Sequence, residues 1–548
     1  MSTVTITILS AGNTMDPTYE VVSIDVVKEV NRIPYAQIVL LDGSAAEQKF
    51  AISDDAFFEP GKEVEIKLRY EGDPGSETTV FKGLIVKQVV EASQDGTLLT
   101  VELKDAAIKL AQTRRSEVYP KKKDTAIFEQ LIKNGGLDKG TVDDTKVEHP
   151  EIVQYYSTDW DFMLARAEAC GLLVIAEDGS VSLQNIALDG EPDEQHTFEF
   201  GQSLIYNFEM EVDASSQRGD VASIAWDLKN QKLTQASKAK AFNLAQGNLK
   251  AGTLADAVGG KQQTLSSPVP ADPKALQAWA DAVMARSRMA MIRGRISVPG
   301  SGAIYRMKLM KVAGVGERFN GKTLVTGVRH RVDTNGWQTD VQFGLSPEAF
   351  VERRDIVDVP AAGLLPGVNG LQIGVVGKYE DDPDKEFRVK VILPGIDETK
   401  GAVWARLASP DAGKDRGYFF RPEPDDEVVV GFLNDDPRHP VILGAMYSSK
   451  NTLAKDMQVS KENTTRGIVS RTGITLAFTD DKKPLACLKT PGPNKITLDD
   501  DGKMIEIEDQ NGNKITMDKD GIKIKSAKDL KIEASGNVEI KGSKVDIK

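Results

Sequence analysis

The chain contains 548 residues, which is enough for roughly three to five domains and a sizeable core. Its net charge of −13 argues against nucleic acid as the main partner, because phosphate binding needs a basic surface. Its two cysteines, Cys170 and Cys487, form no pattern typical of a disulfide framework or a zinc site.

The N-terminal segment, Met1–Ile8, lacks the charged and apolar regions of a signal peptide. No apolar run anywhere in the sequence reaches the length of a transmembrane helix. We therefore expect synthesis in the cytoplasm, and any export must use a route that needs no signal peptide.

Strand patterns dominate the first 115 residues. Apolar and polar residues alternate in runs separated by turn clusters such as Asp42-Gly43 and Pro60-Gly61. This pattern predicts a barrel-like β unit over 1–115. The clearest runs are Tyr35–Leu41, Val64–Tyr70, Val80–Val89 and Leu98–Leu103.

A mixed α/β insertion is predicted over 116–200. Thr125–Asn134 and Thr158–Ala169 have helical patterns, and Thr158 is placed to cap the second helix. Gly171 ends that helix, and Leu172–Ile175 begins a strand.

Residues 201–358 return to strand patterns, at 200–230 and 295–350. A polar stretch over 231–270 is expected to be an exposed excursion from this second barrel. A helix is predicted at 273–291, because Leu276, Ala280, Val283 and Met284 share one face at helical spacing.

A Pro/Gly-rich linker over 359–370 leads into a small module, 371–447. Five short strand patterns with Gly-rich corners in this length predict a closed barrel of the OB type. The candidate strands are Ile373–Lys378, Phe387–Ile392, Val403–Arg406, Glu427–Phe432 and Val441–Ala445.

After a connector and needle start over 448–495, short apolar pairs recur through 496–548, each with one polar residue between its members. Successive pairs start 7 to 10 residues apart, and Gly, Asn, Asp and Ser fill the intervals. The i, i+2 spacing predicts strands with one dry face, stacked into a narrow β-rod. The paired residues are Ile496, Leu498, Ile505, Ile507, Ile515, Met517, Ile522, Ile524, Leu530, Ile532, Val538, Ile540, Val545 and Ile547.

A single chain has nothing against which to bury these apolar strips. The entropy lost by ordering such a segment exceeds what its own apolar burial returns. Three chains wound together would close a prism around the strips and pair the strand edges between subunits. We therefore predict a homotrimer whose axis is lined by the paired residues, and a set of exposed hairpins in a lone chain is the alternative.

Three features could suggest an enzyme or a ligand site. Gly316–Thr323 satisfies the phosphate-loop pattern, but a β-branched strand pattern follows it where that site needs a helix, so we predict a turn. Asp499–Gly502 and Asp518–Gly521 resemble parts of a calcium loop, but Thr stands at the first ligand position of each and no helices flank them.

The third feature that could suggest an enzyme is the set of four histidines. They lie in unrelated segments without a catalytic motif. They are His149, His196, His330 and His439. Neither a catalytic set nor a metal site is indicated by these residues. We therefore expect no enzymatic activity, no cofactor and no metal.

Several segments resemble phage tail hub proteins and VgrG spikes. Asp159–Leu172, which reads DWDFMLARAEACGL, resembles a helix of that family, and Phe319–His330 is similar to the strand pair that closes its second hub barrel. Arg388–Val391, Ala402–Leu407 and Pro424–Gly444 follow the VgrG barrel nearly position by position. With the C-terminal pairs, the resemblance covers almost the whole chain.

The resemblance implies a mainly β fold: a hub of two β-barrel-like subdomains with a small α/β insertion, an OB-fold barrel, and an intertwined triple-stranded β-helix needle. It implies the structural central spike of a contractile injection system, a homotrimer that joins the inner tube to a membrane-puncturing tip. The implied partners are the inner tube protein, baseplate proteins, a PAAR-like tip cap, effector cargo and a target membrane penetrated transiently. By position, the cap would dock on Ser543, Lys544, Val545, Asp546, Ile547 and Lys548.

The sequence also departs from some relatives. The 448–495 connector is too short for an inserted lysozyme, and no toxin follows the needle, so we expect a bare spike that delivers other proteins. The compact first half favours an extracellular contractile particle over a type VI secretion system, and in either case the spike would be secreted or released. A trimeric tail spike, adhesin or fibre without enzymatic activity is the alternative function.

Overall fold

The computed structural model describes residues 3–94, 96–353, 359–397 and 402–547. The chain divides into two compact units, Met1–Asp358 and Val359–Lys548. Each unit is described separately.

In its described residues, the first unit contains four α-helices and most of the strands. The helices are α1 Asp124–Asn134, α2 Asp159–Cys170, α3 Ala251–Ala257 and α4 Pro273–Met289. The strands up to the α/β insertion are β1 Val4–Ser10, β2 Asn13–Thr14, β3 Val21–Glu29, β4 Tyr35–Leu41, β5 Glu63–Tyr70, β6 Thr78–Ser93, β7 Gly96–Lys104 and β8 Arg114–Lys123. The remaining strands of this unit are β9 Asp138–Val142, β10 Glu148–Thr158, β11 Leu172–Glu177, β12 Ser180–Asn185, β13 Thr197–Glu199, β14 Asn207–Val212, β15 Asp220–Asp227, β16 Lys232–Leu233, β17 Ser237–Lys238, β18 Ala245–Gln246, β19 Gln262–Ser267, β20 Ile292–Pro299, β21 Leu309–Ala313, β22 Gly321–Asp333 and β23 Gly336–Phe343.

One long sheet runs through both of the barrel-like regions expected from the sequence. Its order is β14-β20-β23-β22-β3-β4-β7-β6-β5-β1-β2. The link between the two regions is the antiparallel pair β3–β22, in which Ile24 lies opposite Val332 and Val27 opposite Arg329. The expected boundary between subdomains is therefore crossed by continuous backbone hydrogen bonding.

Alternation of side chains along each strand builds the cores of this sheet. In β4, Ala36, Ile38 and Leu40 are buried, while the residues between them are only partly covered. They pack with apolar residues of β1, β3, β5, β6 and β7 in one cluster. A second cluster forms where β20, β22 and β23 face Phe198 and Met310.

The α/β insertion folds as expected. Thr158 caps α2 by accepting the Asp161 N–H, and Gly171 follows the helix in the left-handed conformation at φ 76°. Helices α1 and α2 pack on the sheet β11-β12-β9 around a buried cluster that includes Phe128, while β8 and β10 form a separate two-stranded ribbon.

A buried carboxylate ties the two helices together. Asp124 of α1 accepts hydrogen bonds from the Arg166 guanidinium of α2 at 2.7 and 3.0 Å, and it contacts His149 Nε2 at 2.8 Å. Burial alone would raise the pKa of Asp124, but the hydrogen bonds and charges of Arg166 and His149 outweigh it and hold that pKa below its usual range.

The segment 231–270 is more ordered than the sequence indicated. It contains β19, which pairs in parallel with β15, and the short helix α3, and Gln246 within it is buried. Apart from Gln246 and Ala255, the segment is exposed or only partly covered, as the sequence predicts, but it has secondary structure that the sequence did not indicate. Backbone hydrogen bonds pair β19 with β15. The side chains of β19 are mostly polar, so its sequence lacks the apolar alternation by which a strand is recognised.

The second unit contains a small barrel and a meander. The strands of the barrel are β24 Gln372–Val376, β25 Val389–Ile392, β26 Ala402–Leu407, β29 Glu427–Phe432 and β30 Pro440–Ala445, with a small hairpin of β27 Ala412–Gly413 and β28 Arg416–Gly417 between β26 and β29. The barrel closes in the order β24-β25-β26-β30-β29 around buried valines, which confirms the predicted five-stranded closed barrel.

A seven-stranded antiparallel sheet follows the barrel, and we call it the C-terminal sheet. Each of its strands has five residues and pairs with the next strand along the chain. The strands are β31 Thr465–Val469, β32 Thr475–Thr479, β33 Leu485–Lys489, β34 Lys495–Asp499, β35 Met504–Glu508, β36 Lys514–Asp518 and β37 Gly521–Lys525.

Candidate functional site

The first four predicted apolar pairs lie in strands and in register with one another. Ile496 is opposite Ile507 and Leu498 is opposite Ile505 across β34 and β35. The same alignment continues through β36 and β37. One face of the sheet therefore carries a continuous apolar ladder, as the i, i+2 spacing predicts.

The apolar ladder begins before Ile496, where the regularly spaced pairs start in the sequence. In β32 and β33, Leu476 lies opposite Leu488 and Phe478 opposite Ala486, and Leu488 in turn lies opposite Ile496. These strands fall in the segment 448–495, which is predicted to hold the connector and the needle start. Their alternation is visible in the sequence, but the regular spacing of pairs starts only at Ile496.

The two faces of the sheet differ in exposure. Within this single chain, Leu498 is 49% and Ile524 60% exposed on the apolar ladder. On the opposite face, Cys487 and Thr497 are only 8% and 3% exposed. The isolated chain thus leaves its most apolar face uncovered, which is the reverse of a globular β-sheet.

Turns that contain aspartates connect the successive strands of the C-terminal sheet. The Asp509 carboxylate accepts the N–H groups of Asn511 and Asn513, and hydrogen bonds from Asn513 lower the pKa of Asp509 to about 2. Asp499 accepts the Gly502 N–H at 2.8 Å, and Asp518 accepts the Asp520 N–H at 2.8 Å. The acidic clusters that resemble calcium loops are turn-forming residues here.

The last three predicted pairs are not in strands. Residues 526–547 follow β37 without a strand partner within the chain, and their apolar side chains are exposed. One copy of the chain therefore does not show the strands that the spacing predicts for these three pairs. The residues concerned are Leu530, Ile532, Val538, Ile540, Val545 and Ile547.

The predicted tip dock lies at the end of this extended tail. Lys544 and Asp546 form an exposed ion pair at 2.9 Å, and Ile547 is 94% exposed. Ser543 and Val545 complete the described part of the dock, and Lys548 lies outside the described residues.

The phosphate-loop pattern forms a turn, as predicted. The Gly316 carbonyl accepts the N–H groups of Phe319 and Asn320, and β22 starts at Gly321 where a nucleotide site would need a helix. The Lys322 ammonium donates to the Gly190 carbonyl and to Glu191. This lysine is therefore engaged by protein oxygens.

The histidines contact different partners in different parts of the fold. His196 Nδ1 contacts Asp193 at 2.5 Å, and His149 contacts Asp124. His330 is buried beside Thr339, and burial lowers its pKa to about 3. The amide of His439 donates to the Asp436 carbonyl in a loop of the barrel.

Within the ranges that the structure describes, no group of three or more His, Cys, Asp or Glu side chains is placed to hold a metal ion. No helix in the same ranges is long and apolar enough to cross a lipid bilayer.

Three family models match the chain. Residues 1–334 match the Alg8 N-terminal domain, residues 372–447 match the injector OB domain of type VI secretion systems and phage baseplates, and residues 486–548 match the C-terminal trimerisation domain of phage baseplate V. The second match covers the closed barrel, and the third begins in β33 and contains β34–β37.

Curated relatives are similar over shorter stretches. The type VI secretion system spike protein VgrG1b of Pseudomonas aeruginosa is 28% identical over 203 residues, 35% of this chain and 26% of the relative. VgrG1a of the same organism is 26% identical over 204 residues, 35% of this chain and 30% of the relative. The matched region therefore spans less than a third of the length of either relative.

Solved structures of tail proteins are also similar to the chain. A tail protein from Neisseria meningitidis MC58 has a TM-score of 0.46 at 13% identity, covering 64% of this chain and 99% of that one. A 43 kDa tail protein of prophage MuSo2 from Shewanella oneidensis has a TM-score of 0.47 at 13% identity, covering 63% and 99%.

The family assignment rests on the sequence matches. The Alg8 N-terminal model alone covers more than half of the chain, and the other two models cover the barrel and most of the C-terminal sheet. The chain therefore belongs to the family of the Alg8 N-terminal domain, and its barrel and C-terminal segment are similar to those of the VgrG and phage baseplate V spike proteins of type VI secretion systems and phage tails.

Proposed function

We propose that this protein is the homotrimeric central spike of a contractile injection system. The observation that carries the proposal is the apolar ladder of the C-terminal sheet, which is in register but uncovered in one copy. Three copies would turn their ladders toward a shared axis and exclude water from it. Each half-exposed aliphatic side chain would then contribute about 1 kcal/mol by its burial.

The same packing would make the rod suited to axial load. Strands that pair with neighbouring chains leave no free edge along the shaft, and no flexible domain junction interrupts it. The 526–547 tail extends beyond the last strand of the single chain with three further apolar pairs. In the trimer these pairs would continue the needle toward its tip.

The spike would join several partners through different regions. The first unit would meet the inner tube protein and the baseplate proteins, and the exposed end at Ser543–Lys548 would receive a PAAR-like cap. Effector cargo would travel with the spike while the needle transiently penetrates the target membrane. The protein itself would do no catalysis, and its role would be structural.

The particle would be an extracellular contractile particle, as the compact first half favours, and the protein would be made in the cytoplasm before its assembly. Electron microscopy of the native assembly distinguishes a free sheathed tube from a membrane-anchored type VI system.

Light scattering of the purified full chain tests the oligomeric state directly. We expect a mass three times the 59.6 kDa of one chain. A mass equal to one chain at micromolar concentration would contradict the proposed spike. Removal of residues 543–548 should leave that trimeric mass unchanged and abolish binding of the cap protein. Retained binding would contradict the proposed dock.

A further inference from the structure

A cavity of about 530 Å³ lies in the first unit, where residues of α2, α4 and β19 meet the segment 347–352. Its volume is within the range of pockets that hold small organic molecules. Most of its wall is apolar. The larger apolar side chains that line it are Leu265, Trp279, Val283, Pro347 and Val351.

Three arginines line this cavity, and two of them are already paired with carboxylates. Arg166 donates to Asp124, and Arg286 donates to Glu168. The third, Arg218, forms no ion pair within the described ranges, and its guanidinium donates only to uncharged oxygens. The positive charge of Arg218 is therefore left without a carboxylate partner at the wall of the cavity.

Hydrogen bonds hold the guanidinium of Arg218 in one position. Its Nε donates to Gln263 Oε1 at 3.1 Å, and its Nη1 donates to the Gln217 carbonyl at 3.0 Å. Nη1 also donates to the Ser215 carbonyl at 3.4 Å. Its Nη2 donates to no group in the part of the chain that the structure describes. A fixed cation therefore has donor capacity left for an anionic ligand.

Two residues next to Arg218 favour an anion at the same wall. Ser216 also lines the cavity, and its buried hydroxyl oxygen has no hydrogen-bond partner among the described residues. The buried Arg288 donates to the Arg218 carbonyl at 2.7 Å and to other uncharged oxygens, and in those ranges it too forms no ion pair. Two cations and a hydroxyl thus lie together without a carboxylate, which is costly unless an anion binds there.

The acidic residues of the cavity restrict the ligand to one charged group. Glu168 is bound by Arg286 and by the Phe350 N–H, and Glu352 accepts the Ala349 N–H at 3.3 Å. These carboxylates would repel further negative charge. A phosphate group also needs more convergent donors than this wall offers, whereas a single carboxylate is satisfied by two. The remaining wall is apolar and suits an uncharged body.

We propose that this cavity binds a monocarboxylic acid with a compact apolar body. The carboxylate accepts hydrogen bonds from Arg218 and Ser216, and the apolar body packs against Trp279 and Leu265. A free small molecule offers this chemistry, and so does the C-terminal residue of a polypeptide when that residue is apolar. The site lies within one copy of the chain, so the proposal does not depend on the trimer.

Saturation-transfer NMR titrations of the full chain compare 4-phenylbutyrate with its neutral isostere, 4-phenylbutyramide. We expect the acid to bind about tenfold more tightly or better, because hydrogen bonds to charged groups contribute more than those between neutral groups. Arg218→Gln should weaken binding of the acid to the level of the amide and leave binding of the amide unchanged. The matched control is Arg318→Gln, at an exposed arginine that does not line the cavity, and it should change neither.

A second pair of probes, N-acetyl-Gly-Gly-Phe and its C-terminal amide, distinguishes the two sources of the acid. Tighter binding of the peptide acid than of 4-phenylbutyrate would assign the cavity to a polypeptide terminus, and the reverse order would assign it to a small molecule. If the unsubstituted chain binds neither acid at millimolar concentration, or binds acids and amides equally, the proposal is overturned. This comparison needs no substitution, so it holds even if Arg218→Gln disturbs the fold. Equal binding of the acid by a folded Arg218→Gln variant would also overturn the proposal.

Discussion

The long sheet of the first unit and the C-terminal sheet use the same alternation of apolar and polar residues, with opposite results. In the long sheet, Ile38, Leu40 and Val101 are completely buried. In the described part of the C-terminal sheet, the buried residues are Thr475, Cys487 and Thr497, and the apolar ladder faces outward. The long sheet curls around its own core through contacts between distant segments, whereas each C-terminal strand meets only its neighbours along the chain. Alternation therefore specifies which face is apolar, and topology decides whether one chain can cover it.

Charges placed on the apolar ladder should have the largest effect. We expect Ile524→Asp combined with Ile532→Asp to abolish trimer assembly, because an unpaired carboxylate on a dry axis is strongly unfavourable. Light scattering should fall from three times the chain mass to one. All five tryptophans lie before the C-terminal sheet, so their fluorescence should stay native.

The matched control for that variant is Lys523→Asp with Lys525→Asp, on the other face of β37. It should leave the trimer intact. A denaturant-resistant trimer in the Ile524 and Ile532 variant would contradict the assignment of the ladder to the axis.

Truncation of a core side chain in the first unit should destabilise the fold of that unit rather than the assembly of the trimer. Phe128→Ala removes a fully buried ring from the apolar cluster that also contains Trp160. It should lower the free energy of unfolding by about 3–5 kcal/mol. Urea unfolding followed by tryptophan fluorescence measures this change. The exposed Val118→Ala is the control and should change it by less than about 0.5 kcal/mol. If Phe128→Ala and Val118→Ala changed the free energy of unfolding equally, the first unit would not have a core that one chain completes by itself.

Loss of the buried carboxylate should weaken the same unit somewhat less. Asp124→Asn leaves the Arg166 charge without its partner and should cost about 3 kcal/mol at neutral pH. Because the folded-state pKa of Asp124 is lowered, its contribution is present above the ordinary carboxylate pKa and is lost as the pH falls below it. The difference between wild type and variant in urea unfolding should therefore shrink in acid.

The control for the Asp124 variant is Asp144→Asn, which removes an exposed ion pair with Lys123. It should have almost no effect on urea unfolding. A difference between wild type and Asp124→Asn that persists unchanged below about pH 3 would contradict the ionic role of this carboxylate.

The smallest expected effect is at the cap of α2. Thr158→Ala removes the acceptor for the Asp161 N–H and should destabilise the first unit by about 1 kcal/mol, while Thr158→Ser should retain most of the stability. Thermal melting followed by tryptophan fluorescence compares the three proteins. No difference between the alanine and serine variants would show that the cap contributes nothing.

Local signals predicted much of this fold. The cap at Thr158, the stop at Gly171 and the five barrel strands each depend on residues close together in sequence, and the structure confirms them. Pairing of β3 with β22 joins segments about 300 residues apart, and no spacing in the sequence encodes it. Strand β19 was missed because Leu265 is its one apolar residue and its backbone pairing with β15 leaves no alternating pattern in the sequence.

In the candidate site, too, local sequence patterns predicted some features and missed others. The i, i+2 pairs from Ile496 to Ile524 could be read directly, since each strand pairs with the next and the register follows from the short turns. The sequence placed the needle start only within 448–495, because the interval between pairs becomes regular later, whereas the ladder already starts where Ile468 of β31 lies opposite Leu476. The structure of one chain also cannot display strands for Leu530 to Ile547, since their neighbours belong to other copies in the proposed trimer.

The uncovered ladder has a genetic consequence. If all three copies must supply their strip to one axis, a single defective copy spoils the complex that incorporates it. In a cell that makes both normal and altered chains, the fraction of sound complexes falls as the cube of the fraction of sound chains. Lesions in the first unit that keep a chain from folding would instead remove it before assembly, so they should behave as recessive alleles where ladder lesions are dominant.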